Sequence, residues 1–224
     1  MAGFTVVRKS SAMMSGMVPG NESYLQPYRD SVAVSGTGFY ATLWANPASQ
    51  RIRFKVFTQL CDLTGKRLLD AGCSRGDLAV HLIEQGIAFD HYVGIDGVDK
   101  VIDFASSRDL PRCEFHAGDF LADADLLTIG RPQIMLISGT LNTMTFRQVI
   151  HSLDMAWNAA EEAMIFNFLS DRCGPGATPQ VDPAIRHGTS KLIDWALKRT
   201  WSVQFRQDYF PHGHDATIMM RKVS

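Results

Sequence analysis

Short apolar runs alternate along this chain with longer segments in which apolar residues recur every three or four positions. The runs are Leu68–Ala71, His91–Asp96, Cys113–Ala117, Gln133–Ser138 and Met164–Leu169. Each is too short for a stable helix and ends at turn-forming residues, which predicts five buried strands. The helical spacing covers Asn46-Pro47 to about Cys61 (Ile52, Val56, Phe57, Leu60), Leu78–Gln85, Val98–Ser107, Thr145 to about Glu161, and about Ser190–Lys198. Asn46 and Thr145 are residue types that accept hydrogen bonds from a helix's first N–H groups, and Pro47 suits the first helical position. Gly86 supplies a stop for the second of these helices. The rhythm breaks at Asp171–Pro183, which is rich in Gly and Pro. Two final runs, Ser202–Tyr209 and Ala216–Lys222, flank Pro211–Asp215 and predict an antiparallel hairpin.

Strands alternating with helices imply a parallel sheet covered on both faces. The expected fold is therefore α/β: a Rossmann-like, doubly wound, mostly parallel sheet with a C-terminal antiparallel hairpin strand. Neither an internal repeat nor a second domain boundary is visible. Residues 21–224 read as one domain with an N-terminal helical lid over about 21–62. Residues 1–20 hold many Ser, Met and Gly and no acid. They lack the sustained apolar stretch of a signal peptide, so a disordered tail is expected.

Composition narrows the function classes. At 224 residues the chain is long enough for one full core. A net charge of −1 lacks the basic excess of most nucleic-acid-binding domains, so no nucleic-acid partner is expected. No window holds 18 apolar residues, so no membrane span is expected. Cys61, Cys73, Cys113 and Cys173 form no C-x-x-C pair. That argues against a zinc site or disulfide framework and favours a reducing, cytoplasmic setting.

In an open α/β sheet, ligands bind beyond the carboxyl ends of the strands. The chain places Asp70, Asp96, Asp119 and Ser138 at or just past four such ends. After Asp70 comes a turn of small residues, Gly72, Cys73, Ser74 and Gly76, and then a helix opening at Asp77. Small residues let the backbone pass close to a ligand, and the free N–H groups of the new helix face the turn. Asp70 would suit a ligand ammonium there, or serve only in the turn. Asp96 follows Asp70 by 26 residues, about where a Rossmann-like protein puts the acid that accepts from a ribose diol. Gly97 beside it leaves room for a ligand, though Asp96 is also placed to cap the next helix. Asp119 in Ala-Gly-Asp-Phe can accept from an adenine amino group while Phe120 packs on the ring, or belong to an ordinary acidic turn.

Leu-Asp-x-Gly-Cys-x-x-Gly, then Gly-Ile-Asp, then Gly-Asp-Phe resembles the class I S-adenosylmethionine-dependent methyltransferases over roughly residues 45–222. The resemblance implies that the turn with Asp70, Gly72, Ser74 and Gly76 holds the methionine moiety of the cofactor. It likewise implies that Asp96 binds the ribose and that Asp119 with Phe120 meets the adenine. Ser74 stands where the family usually has the central glycine of G-x-G-x-G. Upstream, Trp44-x-Asn-Pro-x-x-x-Arg-x-Arg-Phe is similar to a lid segment of small-molecule members, in which Arg53 matches an arginine that contacts the cofactor carboxylate. Read without the resemblance, Arg53 is a solvated helix charge. Tyr24, Tyr28, Tyr40 and Trp44 are placed to pack as a lid.

The expected reaction is methyl transfer to a small-molecule acceptor, with no metal required. The base is not identifiable: His187, His212 and His214 lie where acceptor groups could converge, and Asn142 is placed to orient an acceptor. The fourth strand ends in Ile-Ser-Gly-Thr-Leu-Asn rather than Asn-Pro-Pro-Tyr, which disfavours methylation of a nucleic-acid base or of protein glutamine. Asn167 after the fifth strand reads as structural or functional alike. Alternatives are a non-catalytic S-adenosylmethionine-binding protein, an NAD-dependent oxidoreductase of Rossmann type and an aminopropyl transferase. Gly72, Ser74 and Gly76 are evenly spaced, unlike the nicotinamide fingerprint G-x-G-x-x-G. No acidic pair suggests a diamine site. Oligomeric state is not readable.

Overall fold

A computed structural model describes residues 24–223; the tail expected over residues 1–20 lies outside the described residues. Seven strands form one sheet in the order β3-β2-β1-β4-β5-β7-β6. They are β1 (Arg67–Ala71), β2 (His91–Asp96), β3 (Cys113–Ala117), β4 (Ile134–Ile137), β5 (Ala163–Leu169), β6 (Val203–Arg206) and β7 (Asp215–Arg221). The first five run parallel, and β7 inserts antiparallel between β5 and β6. The expected doubly wound sheet with its terminal hairpin is thus the observed one.

Helices α2 (Pro47–Leu60), α3 (Asp77–Glu84), α4 (Asp99–Ser107), α5 (Phe146–Ala159) and α6 (Thr189–Leu197) cover the sheet, and α1 (Gln26–Ser35) packs through Val32 on Ala41, Val98 and Val101. Side chains along a strand point alternately to the two faces. Leu69, Val93, Met135 and Phe166 pack on one face with Val149 and Leu153 of α5 and Leu192 and Trp195 of α6. Leu68, Tyr92, Leu136 and Ile165 pack on the other with Phe54 and Phe57 of α2 and Leu78 and Leu82 of α3. The pattern that made these runs read as strands is therefore the pattern that builds two core layers.

Local chemistry explains the helix ends. Asn46 caps α2 by accepting from Ser49 N–H at 2.8 Å, with Pro47 at the first position. Thr145 and Gln148 form a reciprocal capping box at α5. Helix α1 goes beyond the element-by-element sequence reading. Among its residues only Val32 is buried, so its sequence carries little apolar periodicity. The strand expected over Ser202–Tyr209 shrinks to Val203–Arg206: past that point Arg206 bonds to Asp208, and the Gln207 amide turns to the carbonyls of Arg172 and Gly213.

The order places β1 and β4 side by side with their following segments departing to opposite faces, which is the switch point where such sheets open a crevice. The turns after β1 and β4 meet there. Thr140 Oγ1 donates to the Ala71 carbonyl at 2.9 Å, and a Cβ on Gly72 (φ +84°) would lie 2.0 Å from that hydroxyl.

Replacing Thr145 by Ala removes half of the capping box at a residue that lines neither chamber of the crevice. We expect a loss of about 1 kcal/mol, seen as a Tm about 2–4 °C lower by calorimetry; an unchanged Tm would show that the cap contributes nothing.

Candidate functional site

Two connected chambers open at the switch point. The inner one holds about 460 Å³ of space between atoms and is open to solvent. It is lined by Gly72 and Ser74 after β1, Asp96 and Gly97 after β2, Phe120, Ser138 to Thr140 after β4, and Tyr24, Leu25, Tyr28, Thr42 and Trp44 from the N-terminal segment. The outer chamber, about 880 Å³, shares Tyr28, Thr42, Trp44 and Gly139 with it. Its walls add Arg53, Asn142, Leu169 and His214, with Val181 to Ala184 of the long loop. Much of that space is open solvent: the cavity itself is about 40 Å³ in the inner chamber and about 310 Å³ in the outer, so the outer chamber alone reaches the range of small-molecule pockets.

Of the residues singled out in the sequence, Gly72, Ser74, Asp96, Gly97, Phe120 and Ser138 come together on the inner wall. Asp96 accepts from Ser74 N–H (2.9 Å) and Val98 N–H (3.0 Å), so it holds the β1 turn as well as the helix entry. Burial pushes its pKa up to about 6, against the pull of those two bonds. Ser74 takes the turn at φ +47°, the left-handed region that a glycine would occupy freely. The Ser138 hydroxyl is buried without a hydrogen-bond partner among the described residues.

Asp70, Cys73, Gly76 and Asp119 do not reach the chamber walls. Asp70 lies on the α2/α3 face and is 2% exposed. There Tyr92 Oη donates to its Oδ2 at 2.5 Å, while Oδ1 has no partner. Burial pushes its pKa up to about 7, the Tyr92 bond acting against the rise. Cys73 is buried, its sulfur beside Gly94, and burial raises its thiol pKa well above the usual value. Gly76 packs beneath the Phe115 ring. Asp119 is tied through Oδ1 to Tyr24 Oη (2.5 Å) and Leu121 N–H (2.9 Å).

Arg53 lines the outer chamber, yet it is 5% exposed. That excludes the solvated helix charge. Its Nε donates to Asp215 Oδ2 at 2.6 Å, and Nη1 donates to the Ser49 carbonyl at 3.0 Å. The guanidinium lies between the rings of Trp44 (4.2 Å) and Phe210 (4.4 Å). Asp215 also accepts from Tyr209 Oη at 2.6 Å. Sequence reasoning missed this pair, along with the wall residues Leu25, Thr42, Gly139 and Thr140.

The lid expectation divides. Tyr24, Tyr28 and Trp44 face the chambers, whereas Tyr40 is 66% exposed. Side chains of the N-terminal segment narrow the inner chamber: a Cβ on Gly97 would lie 2.6 Å from Leu25, and one on Gly139 (φ +81°) 2.4 Å from Trp44. Asn167 is structural, accepting from Gly139 N–H at 2.7 Å. Among the histidines, His187 is buried with Nε2–H donating to the Leu141 carbonyl (2.9 Å), and His212 packs over Gly174 and Gly176. His214 is the one of the three on a chamber wall.

The raised Asp70 pKa has a measurable sign. From about pH 4 to about 7 the folded chain keeps a proton that the unfolded chain has released, so stability falls as pH rises through that window. The effect approaches about 4 kcal/mol. Asp70→Asn keeps an oxygen for Tyr92 and removes the charge. Urea unfolding of the ligand-free chain should show the variant gaining on the wild type as pH goes from 4 to 7; parallel curves would refute the assignment.

No protein-family model matches the chain, and no curated protein matches it in sequence. Solved structures do match in shape. DhpI in a complex with SAM and HEP is 14% identical, with 88% of this chain and 95% of that one covered at a TM-score of 0.66. Magnesium protoporphyrin IX methyltransferase (ChlM) from Synechocystis PCC 6803, with bound SAM, is 14% identical, covers 88% and 84%, and has a TM-score of 0.60. Phosphoethanolamine N-methyltransferase 1 of Haemonchus contortus, in complex with phosphoethanolamine and S-adenosylhomocysteine, is 13% identical over 91% of this chain and 49% of its own, at 0.67. With its strand order and terminal hairpin, this chain has the class I methyltransferase fold.

Proposed function

We propose that this protein is an S-adenosylmethionine-dependent methyltransferase acting on a small-molecule acceptor. One observation carries the reading: Asp96, oriented by two backbone N–H groups, faces a chamber walled by Gly72, Ser74 and Gly97 at the switch point of this fold. The residues present fit the cofactor. The Asp96 carboxylate, with its pKa raised by burial, gains by accepting from a ribose diol. Phe120 offers a ring face for adenine, while Asp119 stands behind the wall, tied to Tyr24 and Leu121. The unpartnered Ser138 hydroxyl, on the chamber wall, is a polar group that a zwitterionic ligand would satisfy. Arg53 Nη2, outside the bonds its other nitrogens make, is assigned to the cofactor carboxylate where the chambers join. The sulfonium, when bound, supplies an electrophilic methyl with a good leaving group. Tyr28 and Trp44 place aromatic faces beside that junction, where they stabilise a cation and exclude water.

The solved neighbours named for methyl transfer to a porphyrin and to phosphoethanolamine support a small acceptor in the outer chamber. The chain's lack of basic excess is in keeping with that. The four described cysteines are free, which supports a cytoplasmic setting.

Titration calorimetry with S-adenosylmethionine or S-adenosylhomocysteine should give micromolar binding, about −8 kcal/mol. Asp96→Ala should weaken it by roughly 1.5–3 kcal/mol, with circular dichroism verifying the fold. Equal affinity in the variant would remove Asp96 from the site. Transfer of labelled methyl from the cofactor into a small-metabolite extract separates an enzyme from a protein that only binds, and binding of NAD instead would favour the oxidoreductase.

A further inference from the structure

The outer chamber contains one side chain whose chemistry the cofactor does not use. His214 Nδ1 lies 3.4 Å from the Pro211 carbonyl. A carbonyl only accepts, so that nitrogen carries the proton and Nε2 keeps the lone pair. The ring is held from the side as well: Phe210 stacks on it at 4.7 Å and 33°. Phe210 in turn covers the Arg53 guanidinium, whose other face meets Trp44. Trp44, Arg53, Phe210 and His214 thus form one column running from the lid to the turn before β7, and a base needs such a fixed orientation.

Burial is the main cause that lowers the His214 pKa, and the Pro211 carbonyl contact works against it. Arg53 from α2 and Arg186 from the long loop, whose Nη1 donates to the His214 carbonyl at 3.1 Å, oppose protonation; Asp215 on β7 favours it. Burial outweighs the rest and keeps the imidazole below its usual range. Asp182, on the outer-chamber wall, is exposed.

Asn142 defines what the chamber offers an acceptor. Leu169 N–H donates to Asn142 Oδ1 at 3.0 Å, which fixes the amide orientation and leaves Nδ2 with its two hydrogens free to face the chamber. The polar lining thus includes a donor amide and a lone-pair imidazole, beside the hydroxyls of Thr42, Ser49 and Thr143. That combination complements a hydroxyl group, which donates to one and accepts from the other. A protonated amine, with donors only, would leave the amide unsatisfied.

We propose that the outer chamber binds a hydroxyl-bearing acceptor and that His214 Nε2 is its general base. This rests on the methyltransferase reading above. The acceptor oxygen forms a bond to the methyl carbon while the carbon–sulfur bond breaks. The bonding pair goes to sulfur, giving a neutral thioether, and the hydroxyl proton passes to His214 Nε2. The product is a methyl ether or ester.

The test presents S-adenosylmethionine carrying a 13C-methyl group, with a small-metabolite extract, to the full chain. The product carbon shift tells O-methyl from N-methyl and S-methyl. We expect an O-methyl product and a kcat about 10²–10⁴-fold lower in His214→Gln, with S-adenosylhomocysteine affinity within about twofold of wild type. The alkaline rise of the wild-type rate, set by a group below the usual imidazole pKa, should vanish in the variant, and added imidazole should restore part of the rate in His214→Ala. An N- or S-methyl product, or a His214→Gln rate and pH profile matching the wild type, would overturn the proposal. So would cofactor binding without any transfer, which leaves the cofactor assignment standing. Absence of cofactor binding would instead take down the reading beneath it.

Discussion

The ion pair between Arg53 and Asp215 is the contact on which the crevice depends. Both side chains are almost fully buried, so neither charge has water to fall back on. Burying an ion pair is costly unless every remaining valence is met, and losing one partner strands the other. Here Ser49 and Tyr209 meet part of that need and two aromatic rings cover the guanidinium faces, while Nη2 is left for a ligand. The pair joins α2, the base of the lid, to the first residue of β7. It holds Trp44 over the β4 turn and Phe210 against His214, so both walls of the outer chamber share one electrostatic tie.

A second constraint is the concentration of acidic groups beyond the parallel strands. Asp70 and Asp96 are each shifted upward by burial, to about 7 and about 6, and the cation nearest the crevice is already committed to Asp215. Burial disfavours the ionised state of each carboxylate, and a cation bound in the chamber would relieve Asp96, the one on its wall. Asp96 at the wall therefore favours a positively charged guest over a pyrophosphate, whose charge it would repel.

Much of the architecture could be read in the chain because its signals are local. The five parallel strands are compact apolar runs, and Asn46, Thr145 and Gly86 mark helix ends through bonds to residues a turn away. Gly72, Ser74, Asp96, Gly97, Phe120 and Ser138 converge because each follows or ends a strand whose order was recoverable. What escaped depends on distant partners. Arg53 meets Asp215 across 162 positions, and Tyr24 meets Asp119 across 95. Nothing in Asp70's own neighbourhood announces that Tyr92 will take its oxygen, and α1 was hard to place because it buries so little of itself.

Trp44 rests on Gly139 so closely that no side chain fits between them. The two residues come from segments with separate roles, the cover and the turn beneath it, yet they form a single steric unit. Mutational drift at one is therefore confined by the other. A larger residue at 139 is accessible only to a lineage that has first given up the indole at 44, and with it the top of the column that holds His214 in place.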